Sequence, residues 1–314
     1  MPDSKAELVL GQLPDDTVAK ALAEHFRYRI PAGEEMGRVF RQTFDQAYDG
    51  QHTGRFRPSE LSKTELAHIG SLLEINIRRA FSSFISDGDF MDYKILGNEV
   101  DCKYSKQMYG WMIPNETIGH HAMLCHASEE FSTFRVGFLK ISPEVLNQGQ
   151  NRDQKKTLNR IGRSSIQWAW LDQSYPKNTL LHLDPKDASE IMSDTSGQRR
   201  LNNLFRKVQG ELIPRGVIYT VAQQKDPMKR IRANGGARTT LAPEGILILG
   251  DYQRHQRIAR DLELPICKNG DSLAIRVVST ADDFTGPKTE IEGKLWRIAQ
   301  ADDPVEQAPL IPMA

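Results

Sequence analysis

Apolar residues that recur every three or four positions predict helices in the first third of the chain. One such stretch covers residues 17–27, and a second, with acidic residues at its start, covers residues 33–48. A longer stretch runs over about residues 61–84. Because Ser62 and Glu65 have the spacing of a capping box, this third helix is expected to begin close to Ser62.

Apolar and polar residues then alternate with the period of a β-strand. Four such pieces follow one another, at residues 91–96, 98–105, 120–127 and 133–141. Helices that precede a short mixed sheet predict an α/β domain.

The regular spacing of apolar residues is interrupted between this region and the C-terminal part of the chain. Residues 173–178 are rich in turn formers, and we place a domain boundary between about residues 165 and 178. The expected domains are therefore residues 1–170 and residues 171–314.

The C-terminal part has a different order of elements. Three short helices, the first and third of them basic, are expected to precede a strand. Short helices followed by a strand are typical of a winged helix-turn-helix domain, in which the last helix contacts DNA. The predicted helices are residues 197–210, 214–224 and 227–236, and the strand is residues 241–250.

Composition narrows the class of protein. The 314 residues are 39% hydrophobic, and 41 basic residues balance 41 acidic ones. No apolar run approaches the ~18 residues of a membrane helix, and the N-terminus does not resemble a secretory signal. Three scattered cysteines are too few for a disulfide framework, so we expect a cytoplasmic protein without a membrane partner.

The balanced total hides a basic segment at residues 198–240. It contains ten lysines and arginines against two acids, Glu211 and Asp226, a net charge of +8. Concentrated positive charge in an otherwise acidic chain indicates a polyanion-binding surface. The alternative is a solvated helix face that is basic without binding anything.

Acidic residues and a lysine converge in the first two strand-like pieces. Asp101 and Lys103 share one strand face, ~6–7 Å apart along the strand, and the chain can reverse at residues 96–98 to bring Asp92 beside Asp101. Carboxylates that hold Mg²⁺, with a lysine that orients or deprotonates a water, are the groups that hydrolyse a phosphodiester. An ordinary exposed hairpin with an Asp–Lys pair is the alternative.

Glu74 adds a third acid, on or beside the apolar stripe of the third predicted helix. A carboxylate in that position needs a partner. Two partners stay open: Arg78, one helical turn later, or the metal site and Lys103.

The spacing D-x(8)-D-x-K with an upstream helical Glu resembles the PD-(D/E)xK nuclease superfamily. Within it, the chain is similar to the two-domain type IIE restriction endonucleases of the NaeI family. The stretches that carry this similarity are residues 45–55, 63–76, 92–103, 201–209 and 220–250.

This resemblance implies a restriction-endonuclease-like catalytic domain with Glu74, Asp92, Asp101 and Lys103 at the catalytic positions. Asp92, Asp101, the backbone carbonyl of Cys102 and Glu74 are the expected ligands of Mg²⁺. The resemblance also implies a homodimer that cuts double-stranded DNA at a GCCGGC-like palindrome, and a winged-helix domain that binds a second, effector DNA site. The expected DNA-binding residues are Gln223, Gln224, Lys225, Lys229, Arg230, Arg232 and Arg238.

A winged-helix transcription regulator with a non-catalytic N-terminal domain is the competing hypothesis. It predicts DNA binding without cleavage, and it leaves the clustered acids unexplained.

Overall fold

The computed structural model describes residues 15–232 and 235–311. Contacts divide this chain into two compact units. The N-terminal unit comprises the chain up to Phe40 together with Ile69–Tyr175, and the C-terminal unit comprises Arg41–His68 together with the chain from Pro176 onward. Residues 41–68 thus group with the second part of the chain, although they lie early in the sequence.

The α-helices of the described chain are α1 Thr17–Arg29, α2 Glu34–Tyr48, α3 Gly50–Thr53, α4 Lys63–Ala80, α5 Arg160–Ser164, α6 Thr179–His182, α7 Pro185–Ser193, α8 Gly197–Lys207, α9 Arg215–Ala222, α10 Ala237–Leu241 and α11 Gln253–Asp261. Short 3₁₀ helices lie at Pro31–Gly33, Pro58–Glu60, Asn115–Thr117, Pro143–Val145, Met228–Arg230 and Ala242–Glu244.

The strands of the described chain are β1 Ser86–Asp87, β2 Tyr93–Ile95, β3 Asn98–Ser105, β4 His121–Ser128, β5 Thr133–Lys140, β6 Leu146–Gln150, β7 Lys156–Leu158, β8 Gln167–Ser174, β9 Ile246–Gly250, β10 Ser272–Ser279, β11 Thr289–Ile291 and β12 Lys294–Ile298. They form a six-stranded sheet in the order β1-β2-β3-β4-β5-β8, a four-stranded sheet in the order β11-β12-β10-β9, and the pair β6-β7.

The six-stranded sheet is mixed, as the sequence predicts. Strands β3 and β4 are parallel, whereas the other neighbours are antiparallel. Helix α1 packs on β5 and β8 through a stripe of small and aromatic residues, in which Phe26 contacts the rings of Phe138 and Trp170. The α/β prediction for this part of the chain is confirmed.

The predicted starts of the first and third helices, α1 and α4, are also confirmed. The Asp16 carboxylate accepts a hydrogen bond from the Ala19 N–H at 2.9 Å and so caps α1. At the start of α4 the Glu65 carboxylate accepts from the Ser62 N–H at 2.8 Å, and the Ser62 hydroxyl accepts from the Glu65 N–H at 3.3 Å. Helix α4 ends at Ala80, four residues before the predicted end.

The C-terminal unit has its own apolar core. Residues of α8 and α9, among them Leu201, Phe205 and Val221, pack in one cluster with Ile248 of β9. Phe56, from the early segment 41–68, belongs to the same cluster. Helices α8 and α9 and strand β9 lie within the predicted residues, with α8 ending at Lys207 instead of near Gly210.

The third helix predicted for the C-terminal part, over residues 227–236, does not form in the part that the structure describes, so this prediction is wrong. The chain makes only a 3₁₀ turn at Met228–Arg230, and residues 233 and 234 lie outside the described residues. Gly235 has a φ of +89°, and a Cβ on Gly236 would lie 2.1 Å from the carbonyl oxygen of Arg232. Glycine is therefore favoured at both positions, which lie at the end of the predicted helix.

Within residues 15–232 and 235–311, every helix is too short or too polar to cross a membrane.

Candidate active site

A tight turn brings the first two acids together. Leu96 and Gly97 both have positive φ, +50° and +77°, and close a hairpin in which Tyr93 of β2 faces Val100 of β3. In this register Asp92 lies beside Asp101, as the sequence predicts. The Asp92 Oδ2 atom accepts a hydrogen bond of 2.7 Å from the Cys102 N–H, which fixes the carboxylate against β3.

The Lys103 ammonium lies where three oxygen atoms converge. Its Nζ donates to Asp101 Oδ1 at 2.5 Å and to the Cys102 carbonyl oxygen at 3.2 Å, and it lies 3.9 Å from Asp92 Oδ2. Burial disfavours the charged ammonium, but the Asp101 and Asp92 carboxylates outweigh it and raise the pKa of Lys103. The amine is therefore held as a cation at the centre of the cluster.

Asp101 is more deeply buried than its place on the polar face of β3 predicts, with 6% of its surface exposed. Its second oxygen, Oδ2, accepts a 2.8 Å hydrogen bond from the hydroxyl of Thr117, in the 3₁₀ turn before β4. Burial raises the pKa of the Asp101 carboxyl, although Lys103 and Thr117 partly offset the effect. Sequence patterns gave no sign of Thr117, because this contact joins residues 16 apart through a loop.

Glu74 lies beside the cluster but is bound to Arg78. The Arg78 Nη2 atom donates to Glu74 Oε1 at 2.9 Å and to the backbone oxygen of Asp92 at 3.1 Å. Of the two partners left open by the sequence, the structure shows Arg78. The same guanidinium thereby connects Glu74 of α4 with Asp92.

The loop that precedes Asp92 is held by one carboxylate. Glu99 accepts hydrogen bonds of 2.8–3.0 Å from the backbone N–H groups of Asp89, Phe90 and Met91, which lower its pKa to about 2. A Cβ at Gly88 would lie 2.2 Å from the Met91 carbonyl oxygen, so this loop also requires a glycine. The role of Glu99 could not be predicted from the sequence, since its partners are backbone N–H groups, which every residue except proline carries.

The oxygen atoms around Lys103 fit a magnesium ion. Among residues 15–232 and 235–311 no three His, Cys, Asp or Glu side chains are grouped so that they could hold a metal. Mg²⁺, however, is commonly bound by one or two carboxylates together with water and substrate phosphate. Asp92, Asp101 and the Cys102 carbonyl supply hard oxygen atoms that already surround one cation, whereas Glu74 is held by Arg78.

The basic segment separates into buried and exposed cations. Lys225, Lys229, Arg230 and Arg232 are exposed, follow one another within eight residues, and form no side-chain ion pair with a described carboxylate within 4.0 Å. We call these four residues the cationic turn. The Arg230 side chain donates to the side-chain oxygen of Gln224, a neutral partner.

The other predicted DNA-binding residues are packed inside the C-terminal unit to different degrees. Arg238 is 8% exposed, and its Nε donates to the Ile248 carbonyl oxygen at 3.1 Å. Burial lowers the pKa of its guanidinium, which lies 5.6 Å from the centre of the Tyr252 ring. Gln223 and Gln224 are half-buried, and the Gln224 carbonyl oxygen accepts from the Gln51 side chain at 2.8 Å.

Comparison with known proteins gives two findings. A family model described as "Restriction endonuclease NaeI" matches residues 20–307. The chain is also 41% identical over 306 residues to the protein named "Type II restriction enzyme NaeI" of Lentzea aerocolonigenes, with 95% of each chain covered.

Proposed function

The chain belongs to the NaeI family of type II restriction endonucleases, site-specific deoxyribonucleases, and we propose that it cleaves double-stranded DNA with Mg²⁺ at Asp92, Asp101 and Lys103. The observation that carries this assignment is the convergence of three oxygen atoms on the Lys103 ammonium. Family membership rules against the alternative of a non-catalytic regulator.

Asp92, Asp101 and the backbone carbonyl of Cys102 would hold the ion. When bound, Mg²⁺ would neutralise charge on the scissile phosphate and acidify a water molecule. The protein keeps the ligands in place through its backbone: the Cys102 N–H fixes Asp92 at 2.7 Å, and the Cys102 carbonyl lies on the same strand as Asp101. These contacts orient the oxygen atoms before any substrate arrives.

Lys103 would orient the attacking water through its ammonium group. In the free protein its ammonium neutralises the two carboxylates, and in the complex it would move toward the phosphate, where its charge is also favourable. Glu74, which is held by Arg78, would complete the shell of the ion or set the environment of Lys103. In-line attack leaves 5′-phosphate and 3′-hydroxyl ends.

For the C-terminal unit we propose a winged-helix DNA-binding role. Helices α8 and α9, the cationic turn and the four-stranded sheet that follows support it, since the positive charge lies along the chain between short helices and strand β9. In this proposal the cationic turn binds an effector copy of the recognition site. The enzyme acts in the cytoplasm as a homodimer on a GC-rich, GCCGGC-like palindrome, because a two-fold symmetric protein matches a palindromic site.

Plasmid cleavage tests the catalytic proposal. With Mg²⁺ we expect the unaltered chain to cut a plasmid that carries the site, and Lys103→Ala and Asp101→Ala to reduce cutting at least ~1,000-fold, since each removes a group that acts on the reacting atoms. Both variants should still bind a DNA duplex in a mobility-shift assay, because phosphate contacts supply most of the affinity.

Lys94→Ala provides the matched control. Lys94 is a half-buried lysine on the adjacent strand β2, paired with Asp89 at 2.8 Å. Its loss should leave cleavage within a few-fold of normal. Near-normal cutting by Lys103→Ala, or an equal defect in Lys94→Ala, would remove Lys103 from the reaction.

A further inference from the structure

Thr117 is a buried hydroxyl that the catalytic proposal leaves without a role. Its side chain is fully buried in the 3₁₀ turn between β3 and β4. The hydroxyl donates to Asp101 Oδ2 at 2.8 Å. A buried hydroxyl that binds one oxygen atom of Asp101 limits the directions in which the other oxygen atom can point.

The two oxygen atoms of Asp101 are thereby distinguished. Oδ2 is committed to Thr117, whereas Oδ1 faces the Lys103 ammonium at 2.5 Å, next to the Cys102 carbonyl. A carboxylate without such a bond can rotate and exchange its two oxygen atoms. The Thr117 bond instead holds the carboxylate plane so that Oδ1 points into the cluster.

The turn that carries Thr117 is itself fixed to the sheet. The Thr117 carbonyl oxygen accepts from the His120 N–H at 3.0 Å, directly before β4, and its N–H donates to the Pro114 carbonyl oxygen at 3.2 Å. Strand β4 pairs with β3 in parallel register, with Ala122 opposite Asp101. Thr117 is therefore held rigidly relative to the strand that carries the catalytic acid.

We propose that Thr117 is a positioning residue that presents Asp101 Oδ1 to the divalent cation. The inference rests on the proposed function, because it assumes that Asp101 is a metal ligand. Partners of ligating carboxylates typically change metal affinity about 10–100-fold when they are removed. A hydroxyl that only stabilised the fold would have no such effect on the cation.

The test compares Thr117→Val, which keeps the shape and removes the hydroxyl, with Thr117→Ser, which keeps the hydroxyl. The full-length variants are titrated with Mn²⁺, followed by the electron paramagnetic resonance of the free ion, and then with Mg²⁺ in plasmid cleavage. We expect Thr117→Val to weaken Mn²⁺ binding and raise the half-maximal Mg²⁺ concentration about 10–100-fold. Thr117→Ser should stay within a few-fold of the unaltered protein.

Thr289 supplies a matched control in the C-terminal unit. It is also buried, and its hydroxyl donates to Asp261 Oδ2 at the same distance, 2.8 Å. Thr289→Val and Thr117→Val should both lower the melting temperature, but only Thr117→Val should change either metal titration. An unchanged metal requirement in Thr117→Val, or an equal change in Thr289→Val, overturns the proposal.

Two further outcomes have defined meanings. If Thr117→Val does not fold, Thr117→Ala, which removes the hydroxyl and adds no donor, replaces it, and a normal metal requirement in that variant equally overturns the proposal. If the unaltered protein neither binds Mn²⁺ nor cuts DNA with Mg²⁺, the proposed function fails as well. If it does both and Thr117→Val matches it, only the role of Thr117 fails.

Discussion

Removal of the exposed cations of the C-terminal unit should weaken DNA binding, whereas removal of the buried Arg238 should lower stability. Arg238 donates to the carbonyl oxygen of Ile248, so its loss should unfold the protein before it affects DNA contacts. Arg230 and Arg232 are exposed in the cationic turn. At this scale, burial separates residues that sequence alone grouped as one basic segment.

We expect Arg230→Ala and Arg232→Ala each to weaken DNA binding. If an arginine reads a guanine, the loss of binding free energy is about 1–3 kcal/mol and affects only duplexes that carry the recognition site. If it binds a phosphate, affinity falls for every sequence. The slope of the logarithm of affinity against the logarithm of salt concentration then becomes shallower by about one. Titration of duplexes with and without the recognition site, at several salt concentrations, distinguishes the two.

Arg199→Ala is the control for these variants. Arg199 is an exposed arginine of the same basic segment, but its side chain is paired with Asp194 at 2.8 Å. Its removal should leave the affinity nearly unchanged. Equal losses in all three variants would mean that general charge, and not the cationic turn, binds DNA.

At the scale of elements, Asp16 connects a helix end to the central sheet. Besides capping α1, its carboxylate accepts from the Lys140 N–H at 2.9 Å and lies 3.2 Å from the His121 ring. Burial raises the pKa of Asp16, but the bonds to His121, Ala19 and Lys140 outweigh it and lower the pKa to about 2. The charged carboxylate therefore stabilises the N-terminal unit.

The sign of the resulting pH dependence follows from the lowered pKa. Above the unfolded value of about 4 the contribution to stability is complete, and it is lost as the pH falls toward 2. We expect Asp16→Asn, which keeps a capping oxygen, to cost about 1 kcal/mol at pH 7, after allowance for solvent screening, and progressively less below pH 4. Urea denaturation between pH 2.5 and 7 measures this; a deficit independent of pH would contradict it.

Gly50 allows α3 to approach α9 within the C-terminal unit. A Cβ at this position would lie 2.1 Å from the Thr220 Oγ1 atom. We expect Gly50→Ala to lower the free energy of unfolding by about 1–3 kcal/mol, the usual cost of overpacking. Thr220→Ala should restore part of this loss in the double variant. Gly149→Ala is the control, because no atom lies within 4 Å of a Cβ there.

Sequence patterns predict elements well where the deciding contacts are local. The capping box at Ser62 and the turn at Leu96 and Gly97 depend on residues within three positions of each other. The prediction of a third helix in the C-terminal part failed because ten residues of apolar spacing do not distinguish a helix from the 3₁₀ turn that forms at Met228–Arg230. Asp92, Asp101 and Lys103 could be grouped from one hairpin, but Thr117 could not, since a loop brings it to the site.

For the whole molecule, the distribution of charge predicts a requirement for two DNA duplexes. The cluster of Asp92, Asp101 and Lys103 lies in the N-terminal unit, whereas the cationic turn belongs to the C-terminal unit. We expect a short duplex with the recognition sequence, added in trans, to accelerate cleavage of a slow single-site plasmid about 5–150-fold, the usual range of coupling between sites. Initial rates against duplex concentration provide the measurement.

Two controls accompany this experiment. A duplex that lacks the recognition sequence should not activate, and the double variant Arg230→Ala, Arg232→Ala should keep basal cleavage while losing the acceleration. If the added duplex only slows cleavage at every concentration, the second-site hypothesis is wrong. The C-terminal unit then serves to hold the substrate.

The C-terminal unit is assembled from two stretches, Arg41–His68 and the chain from Pro176 onward, and this has consequences for inheritance. The Phe56 side chain is buried in the same apolar cluster as Leu201 and Phe205, and the Phe56 carbonyl oxygen accepts from the Asn178 amide at 2.8 Å, so the packing of the two stretches must match. A single recombination between related genes near the codon for Tyr175 would combine Phe56 from one parent with Asn178 from the other. Exchange of the intact unit needs three crossovers, after Phe40, His68 and Tyr175. Lineages should therefore pass on both stretches together, and DNA specificity should diverge by point mutation more readily than by domain shuffling.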